Sequence, residues 1–234
     1  MMPAAPTPVA VAALIAAESA LVVWAAAMSD RYAIGKRVVA LNMMLIALFG
    51  PALLSLGGVV SNIGNINYAA AVAAQCVVLE THGPHQARQT VAMVSRMMVA
   101  LYLLTLCMSL FPVVDGNGDY MAAMRLIVER RADVLAASLA AFVVSQAVLI
   151  RAWLMVRARH SFVLAALLAA LACQSVDTPL FFVVAFARTT GADEIIAMAS
   201  AGLLIKAGCA VAFLPACLLA VHLRRSPRRV SATP

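Results

Sequence analysis

The chain has 234 residues, 65% of them hydrophobic and only 12% charged, with a net charge of +7. Soluble domains are closer to half apolar and a quarter charged, so this composition describes an integral membrane protein built as one domain. The basic residues gather at the ends of apolar runs, where membrane topology requires them, so the positive charge does not point to nucleic acid. The five cysteines all lie in apolar runs without a C-x-x-C pair, so neither a zinc site nor a disulfide framework is indicated.

Met1 to Pro8 is rich in Pro and Ala and carries no side-chain charge. A signal peptide needs a basic leading segment, so Val9–Met28 is expected to stay as a helix, with Glu18 facing a partner helix. Ser29–Arg37 is a short basic loop. A second helix is predicted from Val38 to about Val60, kinked at Pro51, which frees the carbonyl of Ala47. Gly57-Gly58 marks its end, and Ser61–Asn67 follows as a polar connector without charge.

The third apolar run, Tyr68–Leu79, is short, and spans only if Asn65 to Glu80 is included. Gly83-Pro84 stops it. The fourth helix is predicted from about Thr90 to Val114, with Arg96 snorkelling outward from near its start. Asp115-Gly116-Asn117-Gly118-Asp119 looks like the opening of a calcium loop. Tyr120 and Leu126 stand where that loop needs Gly and Glu, so the segment reads as a turn. Tyr120–Arg131 is amphipathic and is expected to lie along the membrane surface. The fifth helix runs from Asp133 to about Val156 and carries Ser138, Ser145, Gln146 and Arg151. The sixth is Phe162–Ala187, and the seventh is Ile195–Leu223 with Lys206 near its middle and Pro215 as a kink.

Alternating the loops from Ser29–Arg37 puts Arg31, Lys36, Arg37, Arg88, Arg157, Arg159 and the tail arginines on one side. Arg125, Arg130, Arg131 and Arg188 fall on the other, offset by nearby acids. The asymmetry predicts an external N-terminus and a cytoplasmic C-terminus. The expected fold is all-α, a polytopic transmembrane bundle. Its parts are an extra helix and basic loop (1–37), a six-helix core (38–225) and a polar cytoplasmic tail (226–234).

The most unusual stretch is Gln174-Ser175-Val176-Asp177-Thr178-Pro179, in the middle of the sixth run. An aspartate at mid-membrane costs roughly 2.5–3.5 kcal/mol on insertion scales. The spacings i+3 and i+4 place Gln174, Asp177 and Thr178 on one helix face. Pro179 has no N–H, so it releases the carbonyl of Ser175 inside the membrane. With Glu80, Gln146 and Lys206 these residues form a set of intramembrane polar groups, which face a bundle interior or a water-filled path. Asp177 and Lys206 lie near mid-depth on consecutive helices and can pair. The bland alternative is that the set only fixes helix packing. As a binding inventory it suits a planar heterocycle with N–H and C=O edges, and a polar amino acid almost as well. No catalytic set, phosphate loop or metal motif assembles; His82 and His85 are three apart but lie at a helix stop.

From Val38 to Arg225 the chain resembles the queuosine precursor transporter family, also called the VUT family. The resemblance is carried by Gln174–Phe182, by Glu80-Thr81-His82-Gly83 followed by Ala87-Arg88, by Ala137-Ser138-Leu139-Ala140 through Ser145-Gln146, and by Lys206 with Pro215. It departs from the family at Cys76, where an aspartate is usual, and at His82, where a tyrosine is usual. Ile46-Ala47, Ala52, Ala165 and Leu167 also replace polar residues of the family pattern.

The resemblance implies import of the deazapurines preQ0 and preQ1 across a bacterial cytoplasmic membrane, without a cofactor. Asp177, Gln174 and Thr178 would hold the base edge with Gln146 across the cavity, and Lys206 would set the charge of Asp177. Glu80, His82 and Arg88 would form an inner mouth, with Glu80 pairing Arg88. The implied partners are a small-molecule substrate and the lipid bilayer, and a homo-oligomer is compatible with them. Two rivals are the substrate-binding subunit of an externally energised vitamin importer, and a non-transporting scaffold or sensor.

Overall fold

A computed structural model describes residues 8–27, 33–49, 53–56, 59–62, 64–109 and 118–225. The expectations that fall on Pro51, Gly57-Gly58, Asp115–Asn117 and the tail from 226 onward lie outside these residues.

Long Ala/Leu/Val runs have no polar side chain to compete with the backbone ladder, and they form six helices. These are α1 (Pro8–Ala27), α2 (Ala33–Phe49), α3 (Gly64–Ser109), α4 (Gly118–Arg157), α5 (Phe162–Phe186) and α6 (Ala192–Arg225). Pro8 opens α1, a position where its missing N–H costs nothing. Ser161 caps α5, its hydroxyl accepting from the backbone N–H of Leu164 at 3.5 Å. Asp193 and Glu194 sit in the first turn of α6, where the helix dipole favours negative charge.

The second helix is shorter than its apolar run. It ends at Phe49, and Leu53–Leu56 (β1) pairs antiparallel with Val59–Asn62 (β2), Leu56 opposite Val59. The polar connector is also shorter than expected. Asn62 Oδ1 accepts from the backbone N–H of Gly64, and α3 begins there. The third helix therefore starts early enough to include Asn65 and Asn67.

Gly83 interrupts α3 with φ 80° and ψ 174°, a conformation reserved for glycine. Helix resumes at once at Pro84, earlier than the predicted start near Thr90, because proline is preorganised for a first helical position. The break reverses the chain. Gln75 Nε2 donates to the carbonyl of Ala87 at 2.8 Å, whereas twelve residues of straight helix would separate them by about 18 Å. Counting both halves of α3, seven helical segments are present among the described residues. The surface helix expected at Tyr120–Arg131 is not separate: it runs on into α4, since nothing in Ala132-Asp133 breaks a helix.

The first half of α3 is the centre of the bundle. Every residue from Gly64 to Cys76 is buried. Helix α3 packs against α2, α6, α4 and α1, and α5 lies between α4 and α6. The surface is inverted relative to a soluble protein. Leu104 is 64% exposed and Leu204 73%, whereas Gln146 and Gln174 are wholly buried. Apolar outside and polar inside is the arrangement a bilayer imposes. Val134–Arg157, Phe162–Phe186 and Ala192–Arg224 are each long and apolar enough to cross one, and Val9–Ala25 is a shorter apolar helix.

Candidate functional site

Three helices meet at Asp177. Lys206 Nζ on α6 donates to its Oδ2 at 2.6 Å and to Thr178 Oγ1 at 3.0 Å. Ser145 Oγ on α4 reaches Asp177 Oδ1 at 3.3 Å. Helix α3 closes the cluster with Tyr68, whose hydroxyl bonds Ser145 Oγ and lies 3.5 Å from Cys173 Sγ. The Tyr68 ring also sits under the ammonium, 4.6 Å from centroid to Nζ, a cation–π contact. Asp177, Thr178 and Lys206 are 5%, 1% and 3% exposed. In so dry a setting the ion pair removes two otherwise prohibitive lone charges.

A cleft reaches this cluster. Its walls include Asn62, Asn65, Tyr68, Phe181, Asp177 and Lys206. The space free inside it is about 30 Å³, room for about two waters. Gly202 lets α6 pack closely beside it: a Cβ there would come within 3.2 Å of Asn65 Nδ2 and 3.3 Å of Phe182.

Gln174 stands one turn from Asp177 on the same face of α5, and Gln146 follows Ser145 on α4. Neither is among the residues that line the cleft. Both are fully buried, and neither the Oε1 nor the Nε2 of either has a hydrogen-bond partner. A buried polar group left unpaired costs about 1–3 kcal/mol, so four such atoms on two side chains are exceptional.

The other polar end of the bundle differs from expectation. Glu80 pairs with Arg157, not Arg88. Arg157 Nε and Nη2 donate to the two carboxylate oxygens at 2.9 and 3.1 Å, a bidentate fork. Arg88 is exposed. It lies one turn past the reversal at Gly83, which carries it away from Glu80, while the end of α4 arrives instead. His82 lies close by, its Nδ1 2.6 Å from Thr81 Oγ1, and it lines a second cleft with Arg224. Lys36 and Arg37 begin α2, whose Val38 lines that same cleft, so the basic residues gather at this end.

The structure thus brings together Asp177, Thr178 and Lys206, sets Gln174 one turn from Asp177 and Gln146 next to Ser145 in the chain, and places Glu80 and His82 at the opposite end without Arg88. Sequence reasoning missed Tyr68, Asn62 and Asn65. The signal was present: Asn62, Asn65 and Asn67 lead straight into an Ala-rich run, a polar helix start that resembles a loop when read alone.

The fold is an α-helical membrane bundle with a buried charged cluster reached by a cleft, an arrangement that membrane transport proteins use. The model of the family described as "Putative vitamin uptake transporter" matches residues 62–220, and the chain belongs to that family. No curated protein and no solved structure matches the chain.

Proposed function

We propose that the protein imports a planar nucleobase-like molecule, most specifically the queuosine precursors preQ0 and preQ1, across a bacterial cytoplasmic membrane. The observation that carries this reading is the pair of unpartnered glutamines. Gln146 and Gln174 offer two donors and two acceptors in a dry site, matching the N–H and C=O edge of a deazapurine. Asp177 adds a carboxylate for an N–H pair, and the Tyr68 and Phe181 rings offer faces for stacking.

The free space is too small for a bicyclic base, so loading requires α5 or α6 to move and open the floor onto the glutamines. The cleft opens at the end opposite the basic residues, which is the external end if the positive-inside rule sets the orientation. The Glu80–Arg157 fork would then close the cytoplasmic end.

The test is uptake complementation in a bacterium that neither makes nor imports queuosine precursors. Supplied with preQ0 or preQ1 at low concentration, the native chain should restore queuosine in tRNA, and Asp177→Asn should not, at equal membrane abundance. Absence of queuosine with the native chain in the membrane sinks the substrate assignment. Unchanged uptake by Asp177→Asn sinks the site.

A further inference from the structure

Helix α1 carries a carboxylate that the cluster at Asp177 does not use. Glu18 is 4% exposed. Its Oε1 accepts from Asn67 Nδ2 at 3.0 Å, and its Oε2 has no partner. Asn67 Nδ2 also faces Asn42 Oδ1 at 3.4 Å, and Asn42 Nδ2 donates to the carbonyl of Val38 at 3.1 Å. Asn42 and Asn67 are 0% and 5% exposed. One acid and two amides, from α1, α2 and α3, thus form a buried polar island.

Among the described residues, no ion pair reaches Glu18. Helix α1 packs against α6, α2 and α3. Lys206 on α6 is held by Asp177, and Arg157 by Glu80. An ionised carboxylate alone in such a place is too costly to keep, so it must carry a positive partner. The hydrogen bonds say which. The donation to Val38 turns Asn42 Oδ1 toward Asn67, so Asn67 presents an N–H to the island. A donor at the centre opposes a metal ion, which needs several oxygens around it. A proton on Oε2 neutralises the carboxylate without such a shell, and its O–H has no acceptor among the described residues.

The island lies one turn from a cleft and is linked through the chain to the cluster at Asp177. Val22 and Val38, each one turn from Glu18 and Asn42, line the cleft that holds His82 and Arg224. Asn67 is followed in the chain by Tyr68. Successive residues of one helix therefore hold Glu18 on one side and the Asp177–Lys206 cluster on the other.

We propose that Glu18 is the proton-binding group that couples transport to a proton gradient, an inference that rests on the transport reading above. The carboxylate takes one proton from water at one face of the membrane. Rotation of α3 carries the change through Asn67 and Tyr68 to the substrate cluster. The same proton leaves to water through the His82–Arg224 cleft, regenerating the carboxylate.

The experiment uses the full chain purified into liposomes with a pH-sensitive dye inside, and preQ1 as probe. Native protein should accumulate preQ1 under an inward proton gradient, to at most about tenfold per pH unit at one proton per substrate. Glu18→Gln should keep preQ1 counterflow but lose accumulation and dye response. Accumulation by Glu18→Gln equal to native, or native counterflow without any gradient dependence, overturns the proposal.

Infrared difference spectra between acidic and alkaline buffer give a readout independent of substrate. They should show a protonated carboxylic acid in the native chain that is lost in Glu18→Gln, and its absence from the native chain also overturns the proposal. If the native chain moves no preQ1, the substrate assignment fails while the infrared result still decides whether Glu18 holds a proton. If Glu18→Gln does not fold, Glu18→Asp and the native measurements carry the test.

Discussion

Tyr68 shows how much one side chain contributes here. Its hydroxyl touches Ser145 and Cys173, and its ring faces Lys206, so one residue contacts α4, α5 and α6 from α3. Tyr68→Phe keeps the ring and removes the hydroxyl. It should cost about 1 kcal/mol of stability, read as a small drop in thermal midpoint, and should weaken uptake without abolishing it. The unpartnered glutamines predict the opposite pattern. Gln174→Met is close in volume and removes two orphaned polar atoms, so the empty protein should become more heat-stable while uptake falls to background. A melt of the detergent-solubilised protein beside the tRNA assay checks both. A loss of stability on Gln174→Met would show that the amide has a partner after all.

At the scale of an element, α3 is the deciding piece, and Gly83 decides α3. Its φ of 80° with ψ of 174° is open to glycine and strained by about 1–3 kcal/mol for other residues. No atom lies within 4 Å of the position a Cβ would take, so Gly83→Ala should destabilise through the backbone alone. The reversal also explains the partner of Glu80. Arg157→Ala should impair uptake, whereas Arg88→Ala should leave it near native, a contrast that one transport assay on two variants resolves. Equal effects from the two would return Arg88 to the inner mouth. Gly83-Pro84 was legible as a stop, but the sense of the turn was not. It depends on which segment packs against Gln75, and that contact lies across twelve residues.

For the whole molecule, the question is whether the buried charges hold the bundle together or serve a cargo. Replacing one member of a buried pair strands the other, at about 3–5 kcal/mol. Replacing both with apolar residues of similar size is often neutral or stabilising. Asp177→Leu with Lys206→Met should therefore give a folded, membrane-inserted protein with no uptake, checked by a monodisperse size-exclusion profile and the tRNA assay. Retained uptake by the double variant would leave the pair a packing device. Helix α1 belongs to the same bundle, since Arg224 Nη2 bonds the carbonyl of Ala25 at 3.3 Å and Glu18 bonds Asn67.

The sequence by itself determined that this is a helical membrane protein, where most of its helices lie, and that Asp177, Thr178 and Lys206 are exceptional. Those conclusions follow from local quantities: the length of an apolar run, the cost of a charge within it, and the spacing of residues on one face. Tertiary structure alone decided that Tyr68 and Ser145 join Asp177, that Arg157 rather than Arg88 holds Glu80, and that Asn42 and Asn67 surround Glu18. Each of these is a meeting of residues far apart in the chain. Such meetings depend on how helices pack and where the chain turns back, and no window of sequence contains that information.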